Sequence, residues 1–336
     1  MLNPEPTVSV VMCTYNGARF VPEQLDSILA QTYPIFEIII QDDKSTDETF
    51  EVLQRYALKD RRIRLFTVDE KRGINHNFIT ALDRAQGELI AWSDQDDIWL
   101  PDKLEKQVRA LQRDDLWVSF HITHFFVDGG PREFETYDHR TPNFELEREL
   151  FLGTVPGHTM LFRRDLHERT RSQVPEATLE RAGTSFYYDT ILSIVGNAYG
   201  KVGIIVEPLD LHRRVPASVS GDYKQTKIER TIGNAIRQVI RCMNPGRRRA
   251  IRPIFQRRMD NMSVLLDCFP DATHTDNVRR IIRAYHSPVK IFAFPYELIR
   301  NRDRILFSRE KKDWVAILRA ALFAITYQDY FASSLK

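Results

Sequence analysis

Residues 88–104 read ELIAWSDQDDIWLPDKL. An apolar run at 89–92 passes through Ser93 into four further polar residues, Asp94, Gln95, Asp96 and Asp97, and a helical pattern opens near Pro101. A buried strand that discharges into carboxylates places acidic groups at a strand's carboxyl end. Working outward, residues 8–13, 36–41 and 63–68 are further short runs rich in β-branched residues, and 20–31, 47–59 and 74–85 between them carry helical periodicity. Strands alternating with helices predict an α/β layer, Rossmann-like, on a mainly parallel sheet. In such sheets ligands bind beyond the carboxyl ends of the strands, so the residues that follow each strand are where chemistry is expected.

Those residues are polar throughout. Thr14, Tyr15, Asn16 and Gly17 follow the first run; Asp42, Asp43, Lys44, Ser45, Thr46 and Asp47 follow the second. Two carboxylates two apart, Asp94 and Asp96, can bind one hard divalent cation whose shell is completed by water and phosphate oxygens; the plain alternative is an acidic turn ahead of a helix. Asp42 can accept the N3–H of uracil or thymine, or serve with Ser45 and Glu48 in a capping segment. Gly17 permits close backbone approach ahead of a helix N-terminus, where anions are favoured. The middle of the chain is less regular, with strands expected at 116–123, 159–163 and 201–206 and a helix from Asp189; no repeat or low-complexity tract is evident.

The 336 residues are 43% hydrophobic, 11% aromatic and 28% charged, which excludes a disordered chain and predicts one large domain or two. Cys13, Cys242 and Cys268 lie far apart without metal-site spacing, which fits a reducing cytoplasm. No signal peptide or bilayer-spanning run is expected. The formal net charge of +2 hides a division at Gly221: 25 Lys+Arg against 35 Asp+Glu up to it, and 23 against 11 after it. The expected domains are therefore 1–221, and a helical, basic accessory region at 222–336.

The segments VSVVMCTYNG (8–17), QDDKSTDET (41–49) and ELIAWSDQDDIWLPDKL (88–104), in this order, resemble the nucleotide-sugar half of a family 2 glycosyltransferase with the GT-A fold, over about residues 7–221. The SDQDDIW form resembles bacterial rhamnosyltransferase-like members that act on surface polysaccharides. The resemblance implies that Thr14, Tyr15, Asn16 and Asp42 hold the nucleoside, with Asn77 and Gln95 beside the donor, and that Asp94 and Asp96 carry diphosphate and Mg²⁺ or Mn²⁺. Asp189, in SFYYDTIL (185–192), matches the family's catalytic carboxylate; a helix cap is its plain alternative. In LHRRVPASVSG (211–221), Val215 and Ser218 occupy places where the family has His and Asn, so His212, Arg213 or Arg214 would substitute, His212 as a metal ligand. His158 falls near a segment that can line an acceptor pocket.

The implied activity is inverting transfer of a sugar (rhamnose, or a glucose, galactose or N-acetylhexosamine type) from a dTDP- or UDP-sugar to a hydroxyl of a glycan or lipid-linked glycan. Two alternatives stand beside it: a catalytically degenerate nucleotide-binding or scaffold subunit, motivated by Val215 and Ser218, and a nucleotidyltransferase, ranked low because TYNGARF has a single Gly. Nucleic acid is not an expected partner. The segment 314–327, apolar apart from Arg319 and preceded by Arg300, Arg302, Arg304, Arg309, Lys311 and Lys312, suits contact with an anionic membrane on the inner face of the plasma membrane, or equally a helical lid or oligomer face.

Overall fold

The computed structural model describes residues 5–127, 135–136, 145–150, 155–214 and 245–305. Strands β1 (Val8–Thr14), β2 (Ile35–Asp42), β3 (Ile63–Thr67) and β4 (Leu89–Ser93) alternate with helices α1 (Val21–Leu29), α2 (Thr49–Lys59) and α3 (Ile74–Leu82). β1 is buried along its whole length and β2 at every position but Phe36. Continuous apolar runs of this kind are what parallel strands need when helices cover both faces. Val10, Met12, Ile38, Ile40, Leu89 and Ala91 pack with Leu25 and Ile28 of α1 in one cluster, while Phe78 of α3 stacks on Trp92 of β4 at 3.8 Å between centroids.

β5 (Ile98–Trp99) leads to α4 (Lys103–Arg113), β6 (Val118–Val127), β7 (Glu135–Thr136), a 3-10 turn at Gly157–Thr159, β8 (Leu161–Arg163), α6 (Arg164–Gln173), α8 (Tyr188–Ala198) and β9 (Val202–Arg214); the short α5 (Leu146–Glu149) and α7 (Glu176–Gly183) fall between them in sequence. The sheet runs β3-β2-β1-β4-β8-β6-β9-β5, with β7 on β6. Its first half is parallel, as expected. The second half is mixed: β8 is antiparallel to both β4 and β6, whereas β9 is parallel to β6. β1 lies between β2 and β4, so the strand order reverses there and the loops after β1, β2 and β4 open at one edge.

Two units emerge. One comprises Met1–Phe144, Val155–Gln173 and Tyr187–Arg214 and holds the sheet; the other comprises Glu145–Thr154, Val174–Phe186 and Val215–Lys336. The division expected at Gly221 falls on residues outside those described. The second unit is helical where described: α5, α7, α9 (Pro245–Asp267), α10 (Asp276–His286), α11 (Lys290–Arg300) and α12 (Arg302–Ile305). Arg258 of α9 is buried within it, donating to the carbonyls of Glu149, Leu150 and Ser185 at 2.8–2.9 Å.

Candidate functional site

The loop after β1 is locked onto its neighbours by backbone groups. Tyr15 N–H donates to Gln95 Oε1 at 2.9 Å, and Gln95 Nε2 donates back to the Tyr15 carbonyl at 3.1 Å. A Cβ at Gly17 would sit 2.4 Å from Gln95 Oε1, so a side chain there would push the Gln95 amide off its place against Tyr15. Asn16, at φ 50°, donates its N–H to Ser45 Oγ and accepts the Thr46 N–H through Oδ1.

Asp42 is 1% exposed. Its Oδ1 accepts from Thr14 Oγ1 (2.8 Å) and Ser45 Oγ (2.6 Å), its Oδ2 from Ser45 N–H (2.7 Å). The carboxylate thus ties β1 to the turn after β2. The capping segment expected at Ser45–Glu48 takes a different form: Glu48 is the cap residue but makes no side-chain cap bond, and Asp47 instead accepts the N–H groups of Thr49 and Ala18. Asn77 is 2% exposed in a reciprocal amide pair with Gln41, Gln41 Nε2 to Asn77 Oδ1 at 2.8 Å and Asn77 Nδ2 to Gln41 O at 3.1 Å, which fastens α3 to β2.

The acidic loop after β4 is closed by a pairing that two residues decide. Ile98 and Trp99 pair antiparallel with Leu211 and Asp210 of β9, and this register brings His212 to Asp97, Nδ1 to Oδ1 at 2.8 Å. Arg213 N–H donates to Asp97 Oδ1 at 3.2 Å and its Nε to the Asp96 carbonyl at 2.8 Å. His158, from the 3-10 turn, stacks on His212 at 4.4 Å between centroids, and its Nδ1 lies 3.5 Å from Asp97 Oδ2. Asp97, His158 and His212 each offer a ligand atom within 4.8 Å of the others. Asp94 and Asp96, the carboxylates expected to carry the cation, lie outside that triplet and share its electrostatic field.

That field is set by burial. Burial and then the charge of Asp97 push the Asp94 carboxyl up, and burial with Asp97 and Asp94 takes Asp96 up to about 7. Burial alone would raise Asp97 too, but the imidazoles of His212 and His158 outweigh it and hold it low. Behind the loop, His158 Nδ1 donates to Asp210 Oδ2 at 2.7 Å, and Asp210 also accepts from Thr123 Oγ1. Against the opposing effect of burial, Asp210 and Asp97 hold the His158 imidazole up at about 10, so it is a fixed cation. Lys103 is wholly buried beneath it, 2.5 Å from His121 Nε2 and 3.2 Å from the His158 carbonyl, and burial brings its ammonium down to about 8.

Asp189 sits in the first turn of α8, after the cap residue Tyr187. Its Oδ2 accepts the Gly157 N–H at 2.9 Å and its Oδ1 the Thr190 N–H at 2.5 Å. Gly157 has no room for a side chain: a Cβ there would meet the Trp92 indole at 2.6 Å. Burial and the charge of Asp94 raise the Asp189 carboxyl to about 6 against these hydrogen bonds. A carboxylate placed so can exchange a proton near neutral pH.

Chemically, the loop after β4 suits a divalent cation. Asp97 Oδ2 is buried and accepts no hydrogen bond, and carboxylates flanked by one imidazole are a donor set that Mn²⁺ or Mg²⁺ accepts. Asp210 escaped assignment from the sequence, Asp97 stood there only as part of the acidic run and His158 only near an acceptor-lining segment; the available signal was polar residues inside otherwise apolar stretches. Val215, Ser218, Gly221 and the segment 314–327 lie outside the described residues.

The signature of Glycosyl transferase family 2 matches residues 9–171. Among curated relatives, the putative teichuronic acid biosynthesis glycosyltransferase TuaG of Bacillus subtilis is 40% identical over 36% of this chain and 48% of its own length. WfgD of Escherichia coli, named a UDP-Glc:alpha-D-GlcNAc-diphosphoundecaprenol beta-1,3-glucosyltransferase, is 37% identical over 32% and 42%. The uncharacterized glycosyltransferase MJ1057 of Methanocaldococcus jannaschii is 31% identical over 63% of this chain and 72% of its own. The chain spans about half the length of the first two. The mannosyltransferase PcManGT of Pyrobaculum calidifontis, solved with GDP-Man and Mn²⁺, superposes with a TM-score of 0.53 at 20% identity over 98% of this chain and 84% of its own. That likeness, with the strand order around β1, gives the fold as GT-A. The matched motifs and the breadth of the MJ1057 alignment place this chain in glycosyl transferase family 2.

Proposed function

We propose that the protein is an inverting, cation-dependent glycosyltransferase that moves a sugar from a UDP- or dTDP-sugar to a hydroxyl of a bacterial surface glycan carried on a lipid. The observation that carries this is the convergence, on one sheet edge, of the acidic loop after β4 with Asp189, whose carboxyl is raised to about 6. Asp189 accepts the proton of the attacking hydroxyl, and the N–H groups of Gly157 and Thr190 fix its orientation. Displacement at the anomeric carbon in one step inverts it and releases a nucleoside diphosphate. A cation held by Asp94, Asp96, Asp97 and His212 would supply charge stabilisation to that leaving group. Thr14, Tyr15 and Asn16 line the nucleoside side, while Asp42, Asn77 and Gln95 hold the loops that form it.

The donor class is supported by the name of WfgD, a UDP-glucose enzyme, and the surface-glycan acceptor by those of TuaG and WfgD. The degenerate-subunit alternative rests on Val215 and Ser218 alone, and no described residue favours it. Asp96→Ala is expected to raise the donor KM about tenfold or more, a loss of one charged contact, and to flatten the response of rate to Mn²⁺ concentration. Titrating Mn²⁺ against nucleoside diphosphate release checks this; an unchanged metal response would move the cation away from the loop after β4.

A further inference from the structure

Helix α11, Lys290–Arg300, is apolar on two opposite faces. At 100° per residue, Phe294 and Leu298 share one side; they are 5% and 1% exposed, and Phe294 packs edge-on against Tyr285 and Phe255 at 5.3 and 6.3 Å between centroids. That face closes the helical unit's core. On the opposite side lie Phe292 and Tyr296, with Val289 at the helix cap in line, and these are 79%, 62% and 61% exposed. The other large apolar side chains exposed among the described residues, Phe36, Leu58, Ile74, Tyr187 and Val206, are scattered over separate elements. A helix needs one apolar stripe to join a core; a second stripe of aromatic residues facing outward needs a second apolar environment.

We infer that the outer face of α11 docks this protein on an anionic lipid bilayer, with Phe292, Tyr296 and Val289 entering the headgroup boundary. Charge complementarity selects that occupant. Arg300 stands at the C-terminal end of the outer face and Arg283 of α10 is exposed as well; Lys290, exposed at the other end of the helix, turns toward the Tyr285 ring at 5.9 Å from its centroid, and Glu297 lies largely buried near Arg280. Residues after Gly221 carry 23 Lys+Arg against 11 Asp+Glu. An amphipathic helix with aromatic residues on one side and cations at its flanks suits the interface of a bilayer with negative headgroups. Tyr is a side chain that sits at headgroup depth, and Phe one that interfacial helices carry on their apolar face. The assignment differs from contact through residues 314–327 and gives it a surface among the described residues. Its purpose rests on the acceptor being lipid-linked, but its test does not.

The full-length protein, without donor or acceptor, is centrifuged with vesicles of phosphatidylglycerol and phosphatidylcholine in equal parts, and with vesicles of phosphatidylcholine alone. The wild type is expected to sediment with the anionic vesicles only, and less as salt is raised. Phe292→Ser/Tyr296→Ser is expected to weaken partitioning about tenfold or more, as is Lys290→Glu/Arg300→Glu, with circular dichroism and donor turnover in solution unchanged because these side chains are exposed. Sedimentation of the Phe292/Tyr296 variant at the wild-type level would overturn the assignment. So would absence of wild-type binding, or a light-scattering result in which the wild type is a dimer and this variant a monomer, since a second copy would then cover the face. Loss of donor turnover in the wild type would bear on the glycosyltransferase reading and leave the vesicle result standing.

Discussion

Asp189→Asn is expected to lower kcat by about 10²–10⁴-fold, the range general-base removal produces, while donor binding stays within a few-fold. The amide keeps the size of the carboxylate and its oxygen can still accept the Gly157 or Thr190 N–H, so the first turn of α8 is not disturbed. What it loses is the capacity to take a proton. The wild-type carboxyl is raised to about 6 by burial and the nearby charge of Asp94, and a base acts only when ionised. The rate should therefore climb as pH rises through the Asp189 value, about 6 with Asp94 charged and lower once a cation neutralises Asp94, and level off above it. Equilibrium binding of the nucleoside diphosphate and a pH–rate profile separate the parts: weakened binding in Asp189→Asn would make the residue part of the donor site, and a flat wild-type profile would remove it as the base.

Asp210→Asn is expected to destabilise the fold by about 3–5 kcal/mol, the usual cost of breaking a buried ion pair from one side. Asp210 is 0% exposed and holds His158, which is 4% exposed; without the carboxylate the imidazolium has no counterion on that side. The pH dependence has a definite sign. The folded His158 is raised to about 10, so its contribution is fully present below its unfolded value near 6.5 and is lost as pH rises from there toward about 10. The Asp210 carboxyl is held low by His158 against the effect of burial, so its contribution is present above about 4 and lost in acid. Urea denaturation of the wild type and of His158→Gln should differ most between about pH 4 and 6.5 and converge as pH rises toward about 10. A gap that does not change over that range would mean the pair is not ionic.

The fold's first half was legible because its strands are parallel and covered on both faces, which forces runs such as 8–13 and 36–41 to be apolar at nearly every position. The loops between those strands announce themselves by contrast. Much of the site was less legible, because it depends on pairings between distant segments. Two-residue β5 cannot be told from its acidic loop in sequence, yet its register on β9 is what brings His212 to Asp97. Lys103 shares a buried helix face with Leu104, Gln107, Val108 and Leu111, a polar residue in an apolar stripe, and reads as an interruption until His121 and the His158 carbonyl are seen to receive it. Asp42, Asn77 and Gln95 were marked by the motifs they belong to, but a motif does not say whether a side chain meets the ligand or the neighbouring loop. Here their hydrogen bonds run to Thr14, Ser45, Gln41 and Tyr15.

The measurement that bears most directly on the central claim is release of nucleoside diphosphate by the purified full-length protein, with Mn²⁺ or Mg²⁺, across a panel of UDP- and dTDP-sugars, compared with Asp189→Asn. The account predicts cation-dependent release from at least one donor, raised by an acceptor glycan and lost in the variant although the variant still binds the nucleotide. No binding and no release from any donor in the panel, or release that Asp189→Asn leaves unchanged, would contradict it.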